Sequence, residues 1–264
     1  MSGSGEREMT FWDHLEELRK VFFRGALAVV VMACVAFCFK DFLFHIVLAP
    51  QKSDFILYRF LNRLAALFSV NALRVGDFHV NLINTQLTSQ FMIHLSVSFY
   101  AGLLLASPYL IYLVFGFISP ALKQNERQVC LKVIIPAFLL FLAGLLLNYY
   151  LIFPLSFRFL ASYQVSETVV NMISLSSYIS SFTMLSLLLG AAFELPVIAC
   201  FLARLKWIDS HMLKKFRKHS LTAILVLSAI ITPTSDIFTL LLVSLPLYLL
   251  YELSILIVGR TNPV

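Results

Sequence analysis

Long apolar runs, rather than alternating or strongly amphipathic stretches, dominate the hydrophobic pattern of this chain. They recur along almost the whole sequence and are separated by short polar segments. A helix of about 20 apolar residues crosses the roughly 30 Å of hydrocarbon in a bilayer. The pattern therefore predicts an all-α membrane protein with six transmembrane helices. The predicted spans are residues 21–39, 91–118, 133–153, 178–203, 220–232 and 237–258.

The last two predicted helices are short. The fifth contains about a dozen apolar residues before the polar sequence Thr232-Pro233-Thr234-Ser235-Asp236. Proline and its polar neighbours favour a turn, so these two helices are expected to form a tight hairpin. A helix of this length tilts in the bilayer or thins it locally.

Polar segments divide the chain into one membrane domain and two tails. Residues 1–20 are expected to form a tail and an interfacial helix, 21–258 a single transmembrane domain, and 259–264 a second tail. The loop 41–90 carries apolar residues at helical spacing within 55–68, which predicts a helix on the outer surface of the bundle.

Composition and charge agree with a membrane protein and give it an orientation. Of the 264 residues, 60% are hydrophobic and 13% are charged, which is too apolar for a soluble domain. Fourteen of the 20 Lys and Arg residues fall on the side of the N-terminus, so both termini are expected in the cytoplasm. The net charge of +6 reflects this bias and contact with anionic membrane lipid, and it requires no nucleic-acid partner.

The sequence carries no pattern typical of an enzyme, a metal site or a cofactor site. The four Cys and six His residues are scattered, without zinc-ligand spacing or a Ser/His/Asp arrangement. A Gly-rich phosphate-binding loop is also missing from the sequence. We therefore expect a non-enzymatic protein that needs no metal or cofactor.

Two acids lie near the predicted cytoplasmic surface. Glu16 is spaced to pair with Lys20, whereas Glu17 has no cation four residues ahead. Glu126 follows the second span, with Arg127 beside it. A carboxylate at headgroup depth can accept a bidentate guanidinium fork, so Glu17 and Glu126 suit a cationic peptide. The alternatives are that the segment around Glu17 is only a membrane-surface anchor and that Glu126 pairs with Lys123 or Arg127.

Acids also occur inside the predicted spans. Glu194 lies well within the fourth span, where an acid costs on the order of 2.5 to 3.5 kcal/mol. Pro196 favours a kink there, which predicts a polar concavity around Glu194; the alternative is a neutral, hydrogen-bonded structural acid. Glu252 lies nearer the cytoplasmic end of the sixth span, and Asp236 is expected to cap the outer hairpin.

Short motifs in a fixed order along nearly the whole chain resemble the TatC family, the multi-spanning core of the twin-arginine protein translocase. The resemblance implies six helices in a concave, cupped bundle. The motifs are His14-Leu15-Glu16-Glu17-Leu18-Arg19, Ala49-Pro50, Ala106-Ser107-Pro108, Phe117-Ile118-Ser119-Pro120-Ala121-Leu122 with Glu126-Arg127, Phe153-Pro154-Leu155, Phe193-Glu194-Leu195-Pro196, Thr232-Pro233 with Asp236, and Tyr251-Glu252.

The resemblance implies a receptor for twin-arginine signal peptides. Such a protein is the core subunit of a translocase that exports folded precursor proteins across the cytoplasmic membrane, driven by the proton-motive force. Glu17 and Glu126 would accept the two arginines of the signal peptide. The residues that would shape the same surface are Arg19, Phe117, Pro120 and Arg127.

The resemblance also assigns partners and an external cap. Glu194 would form an intramembrane site for a single-span TatA- or TatB-like subunit in a multimeric complex, and Glu252 is a second candidate for this polar site. Pro50 and Asp236 would belong to the external cap. The alternative function is a proton- or ion-coupled small-solute transporter that uses Glu194 and Glu252 as titrating sites.

Overall fold

The computed structural model describes residues 11–68, 80–118, 124–164, 166, 171–232 and 236–261, and of 124–132 it describes the backbone. The elements are α1 (Phe11–Cys38), α2 (Lys40–Val47), a 3₁₀ turn (Ala49–Gln51), α3 (Ile56–Phe68), β1 (Leu82–Ile83), α4 (Ser89–Ile118), α5 (Gln124–Leu147), a π-helical segment (Asn148–Ile152), α6 (Phe153–Ser162), β2 (Ile173–Ser174), α7 (Leu175–Ala192), α8 (Leu195–Arg204), α9 (Ser210–Lys215), α10 (Arg217–Ile231) and α11 (Ile237–Thr261).

The all-α membrane class predicted from the apolar runs is confirmed. Within the described residues, five helical stretches are long and apolar enough to cross a membrane. The fifth predicted span, 220–232, corresponds to α10, which has 15 residues and is short as predicted. The prediction of a short last helix was wrong, because α11 has 25 residues. The five stretches are His14–Cys38, Ser89–Ile118, Val133–Ser162, Leu175–Arg204 and Ile237–Arg260.

Two spans differ from the predicted boundaries. The predicted interfacial segment and the first span form one continuous helix, because nothing between Phe11 and Cys38 breaks the backbone ladder. The third span continues to Ser162, because the π-helical segment Asn148–Ile152 leads directly into α6 at Phe153 and the helix continues through Pro154.

Backbone contacts group the chain into two compact units. One unit comprises Met1–Cys38 and Ser98–Phe138, and the other comprises Phe39–Val97 and Leu139–Val264.

Two antiparallel helices, α1 and the part of α4 from Ser98 onward, pack closely in the first unit. A Cβ atom on Gly25 would lie 3.1 Å from Cδ2 of Leu110. Nearer the other end of the pair, a Cβ atom on Gly102 would lie 2.5 Å from the backbone nitrogen of Ala33. Gly102 therefore permits a backbone approach that any larger residue would block.

In the second unit, two glycines each pack against a phenylalanine of the neighbouring helical segment. A Cβ atom on Gly144 of α5 would lie 2.9 Å from Cγ of Phe193, and one on Gly190 of α7 would lie 2.8 Å from Cε2 of Phe141. Small residues of this kind allow close packing of helices within a membrane. Helix α11 packs against α8 and α10, and β1 pairs in parallel with β2. The largest fully buried side chains of this unit include Tyr58, Ile152, Tyr178, Leu189, Ile231, Leu247 and Ile255.

The segment of residues 40–68, which contains α2, the 3₁₀ turn and α3, is held in place by tyrosine hydroxyls. The helix predicted within 55–68 is confirmed as α3. Tyr58 is completely buried and donates to the carbonyl oxygen of Pro154 at 2.9 Å. Burial raises the pKa of Tyr58, so its hydroxyl keeps the proton that it donates. Tyr178 of α7 donates to the carbonyl oxygen of Val47 at 2.9 Å, which fixes α2 from the other side.

We expect Tyr178→Phe to destabilise the protein by about 1–2 kcal/mol, because it leaves the buried carbonyl of Val47 without its donor. Thermal unfolding in detergent should show a midpoint lowered by about 2–4 °C. Tyr163→Phe is the matched control, since this tyrosine is 64% exposed. Equal shifts for the two variants would contradict the role of the hydroxyl.

Candidate functional site

The first turns of α1 carry a half-buried acid that the neighbouring cations do not neutralise. Glu16 forms an ion pair with Lys20, with 2.8 Å between Oε1 and Nζ, as the spacing predicted. Glu17, the next residue, is partly buried, and no ion pair to it occurs within the described residues. Arg19 is exposed one half-turn further on. The local sequence therefore satisfies Glu16 and leaves Glu17 able to bind a partner.

The end of α4 lies beside this acidic turn. The rings of His14 and Phe117 stack with their centroids 4.2 Å apart and an angle of 24° between their planes. The antiparallel packing of α1 on α4 produces this contact, because it brings the start of one helix to the end of the other. Phe117, predicted to shape the surface around Glu17, is thus placed next to the same turn of α1.

The second predicted acid begins the next helix. The backbone of Glu126 and Arg127 lies in the first turn of α5, whereas their side chains and Pro120 lie outside the described residues. Six chain steps connect Ile118 to Gln124, so these two backbones are at most about 20 Å apart. A shared surface for Glu17 and Glu126 is compatible with this limit and stays a prediction.

Glu194 occupies a break in the fourth span. The helix is interrupted at Phe193 and Glu194, and Pro196 lies in the first turn of α8. The kink predicted from Pro196 is therefore confirmed. Oε1 of Glu194 is buried and has no hydrogen-bond partner among the described residues. A buried carboxyl oxygen without a partner is costly, so the polar site predicted at Glu194 stays a prediction that this oxygen supports.

Sequence analysis missed a buried polar pair, Asn148 and Ser186, whose serine lies about two turns before Glu194. Asn148, in the π-helical segment, donates from Nδ2 to Oγ of Ser186 at 2.7 Å, and both side chains are buried. Oγ of Ser186 donates in turn to the carbonyl oxygen of Phe182 at 2.8 Å. A single Asn within an apolar run was the available signal, since an amide in a membrane span needs a partner.

Glu252 is engaged within the chain. Its Oε2 accepts from Arg217 at 2.7 Å, and its Oε1 accepts from the hydroxyl of Tyr248 at 3.1 Å. The adjacent Tyr251 donates to the carbonyl oxygen of Leu213 at 2.7 Å. These contacts tie α11 to α9 and α10, so Glu252 has a structural partner that Glu194 lacks within the described residues.

The two residues assigned to the external cap have distinct environments. Pro50 is buried in the 3₁₀ turn, and its carbonyl oxygen lies 3.3 Å from the hydroxyl of Tyr58, whose one proton it shares with the nearer carbonyl oxygen of Pro154. Oδ1 of Asp236 accepts from the backbone N–H of Thr239 at 2.7 Å and so caps the start of α11. Among the residues that the structure describes, no three His, Cys, Asp or Glu side chains come together as a metal-binding group.

Comparisons with known proteins agree on one family. A family model described as Sec-independent protein translocase protein (TatC) matches residues 13–246. A protein named Sec-independent protein translocase protein TatC from Blattabacterium sp. subsp. Periplaneta americana (strain BPLAN) is 34% identical over 255 residues, which cover 96% of each chain. A protein of the same name from Carboxydothermus hydrogenoformans is 31% identical and covers 98% of this chain and 96% of its own.

Solved structures agree with the sequence relatives. A crystal structure of the twin arginine translocase receptor TatC has a TM-score of 0.73 and 29% identity, and it covers 94% of this chain and 99% of its own. A second crystal structure of that receptor, in DDM, has a TM-score of 0.74 and 29% identity, covering 93% and 99%.

These matches decide between the predicted classes of function. They favour a translocase component over the small-solute transporter, and they agree with the prediction that the protein is not an enzyme. The resemblance inferred from the short motifs is confirmed by the family match over residues 13–246 and by relatives more than 30% identical over almost the full length. This chain belongs to the TatC family of Sec-independent protein translocase proteins.

Proposed function

We propose that this chain is the receptor for twin-arginine signal peptides. It is then the core subunit of a proton-motive-force-driven translocase that exports folded proteins. The observation that carries the proposal is the half-buried Glu17, which lacks an ion-pair partner among the described residues and lies one helical turn from the His14–Phe117 stack. The crystal structures of the receptor that this chain resembles support the same role.

Recognition follows from the geometry of guanidinium and carboxylate groups. Glu17 and Glu126 each accept a pair of parallel N–H bonds from one arginine of the signal peptide. A lysine offers a point charge on a flexible stem and gives no matching fork, so the two carboxylates select arginine over lysine. The residues that border this surface are Arg19, Phe117, Pro120 and Arg127.

The proposal includes the orientation of the chain in the membrane and its division into domain and tails. Both termini face the cytoplasm of a cell bounded by the cytoplasmic (inner) membrane, which the Lys and Arg bias supports. Residues 21–258 act as one transmembrane domain, with 1–20 and 259–264 as tails. Single-span TatA- or TatB-like subunits join this domain in a multimeric complex within membrane lipid.

Glu194 is proposed as the intramembrane contact for a single-span partner. Its buried Oε1 is without a hydrogen-bond partner in the described part of the chain, and a polar side chain of a neighbouring helix would satisfy it. Glu252 contributes less to such a site, because Arg217 and Tyr248 already occupy its two oxygens.

We expect Glu194→Gln to fold and to impair transport or partner assembly, because a neutral amide changes both the charge and the hydrogen-bonding pattern of the site. Co-purification of the single-span subunits measures assembly, and export of a twin-arginine reporter measures transport. Asp54→Asn is the control, since it removes an exposed acid paired with Arg59. Export and assembly at the unmodified level in Glu194→Gln would remove this role.

Deletion of the gene in its source organism tests the whole proposal. Folded reporter proteins with twin-arginine signals should stay in the cytoplasm, and the intact gene should restore their export. A reporter exported unfolded by the general secretion route is the control and should be unaffected. Continued export of the twin-arginine reporter in a strain that lacks every TatC paralogue would refute the proposal.

A further inference from the structure

An open groove of about 760 Å³ runs along one face of α10. Its lining residues follow two rows at four-residue spacing, so they form a continuous strip on the helix surface. Lys218 and His219 line one end of the groove, and Ala223, Val226 and Ile230 lead to the other. From Lys218 to Ile230 the strip is about 18 Å long at 1.5 Å per residue.

The groove changes from polar to apolar along its length. Lys218, His219 and Thr222 are exposed at the polar end. Val226 is 56% exposed and Ile230 is 64% exposed at the apolar end, although both are large hydrophobic residues. One face of α10 therefore carries a cation at one end and exposed apolar side chains at the other.

The surroundings of the polar end are strongly basic. Residues 204–218 contain six cations and one acid. Asp209, that acid, accepts from the backbone N–H of Met212 at 2.6 Å and caps α9. Arg217 is paired with Glu252, and no other cation of this stretch is in an ion pair within the described chain. The six cations are Arg204, Lys206, Lys214, Lys215, Arg217 and Lys218.

We propose that this groove binds one anionic phospholipid. The phosphate contacts the ammonium of Lys218, and an acyl chain lies along Ala223, Val226 and Ile230. The cation at the polar end of the groove matches the negative charge of the phosphate. The strip of about 18 Å also matches the length of an acyl chain, since one leaflet has about 15 Å of hydrocarbon. Basic pockets at the membrane surface, beside apolar helix faces, are typical sites for acidic headgroups.

The inference goes beyond the receptor role and does not depend on it. It requires that the start of α10 lies at a membrane surface, whichever peptide the protein recognises. Its test therefore uses no signal peptide and no transport assay, so its failure would leave the receptor proposal standing.

Native mass spectrometry of the purified full-length protein in detergent measures the site directly. The probes are phosphatidylglycerol and phosphatidylcholine with identical acyl chains, so they differ in the headgroup alone, which is anionic in the first and zwitterionic in the second. We expect the wild type to retain phosphatidylglycerol in preference. Lys218→Gln should weaken phosphatidylglycerol binding about five-fold, the equivalent of about 1 kcal/mol for one cation at an anionic surface. It should weaken phosphatidylcholine binding less, because the choline ammonium of that lipid already balances the charge of its phosphate.

Two further variants distinguish a specific lipid site in the groove from non-specific attraction of anionic lipid to a basic protein. Ala223→Phe fills the exposed middle of the groove and should weaken the binding of both lipids. Arg260→Gln removes an exposed cation outside the groove and should bind both lipids as the wild type does. Equal losses in Arg260→Gln and Lys218→Gln, equal binding of the two lipids by the wild type, or binding insensitive to both groove variants would overturn the proposal. The last result would leave the groove to another occupant, such as a partner helix.

Discussion

Gly102→Ala should prevent the normal packing of α1 on α4. The added Cβ would lie 2.5 Å from the nitrogen and 2.6 Å from the Cα of Ala33, and both are backbone atoms that no rotamer change can move away. The helices must separate, so we expect a loss of about 1–3 kcal/mol or more. Reduced accumulation in membranes and a lowered melting point in detergent would report this loss.

Gly116→Ala is the matched control on the same helix. A Cβ atom there would meet nothing within 4 Å, and alanine is favoured over glycine within a helix by about 1 kcal/mol. The two substitutions are chemically identical and should shift the melting point in opposite directions. Similar shifts would show that backbone propensity, rather than the approach to Ala33, determines the effect at Gly102.

Glu17→Gln should reduce export of a twin-arginine reporter in cells by about ten-fold or more. The amide keeps the size of the side chain and loses the charge, which removes a charge-assisted hydrogen bond of about 1.5–3 kcal/mol. The variant should fold normally, because no described residue depends on Glu17 for an ion pair. Glu126→Gln is expected to have a comparable effect.

Glu16→Gln is the control for this experiment. It removes the neighbouring acid, whose partner is Lys20 in an exposed pair, and such pairs contribute about 0–1 kcal/mol. Export in Glu16→Gln should stay close to the wild-type level. A loss as large as that in Glu17→Gln would point to the overall negative charge of the helix start rather than to one carboxylate.

The transmembrane helices were predictable because each apolar run is long enough to specify its own element. Spans at His14–Cys38 and Ser89–Ile118 lie close to the predicted 21–39 and 91–118. Local signals also placed α3 and the break near Pro196. What failed was the expectation that the last helix is short, because Pro246 lies inside α11 and does not end it; the predicted bounds 237–258 lie close to the observed Ile237–Thr261.

Long-range contacts could not be predicted from the sequence, because the residues that form them lie far apart along the chain. The bond from Tyr178 to Val47 joins residues separated by 131 positions, and neither residue signals the other. The same holds for the pairing of Asn148 with Ser186 and for the ion pair of Glu252. These contacts depend on which helices become neighbours, and periodicity gives no information about that choice.

The candidate site was predictable to a different degree at each residue. The spacing of Glu16, Lys20 and Glu17 predicted which acid is paired locally, and the structure confirms the pair. The stacking of His14 on Phe117 was not predictable, since it depends on the antiparallel packing of α1 and α4. The assignment of the two carboxylates to the arginine pair rests on family resemblance and on the chemistry of the fork.

The most direct test is a binding titration of purified protein with two signal peptides. One peptide carries the arginine pair, and the other carries lysines at both positions. The wild type should bind the arginine peptide more tightly than the lysine peptide. Glu17→Gln should remove most of this preference, a loss of about 1.5–3 kcal/mol in binding free energy. Glu16→Gln should behave as the wild type does. Equal weakening of both peptides by Glu17→Gln would contradict recognition of the arginine pair by this carboxylate.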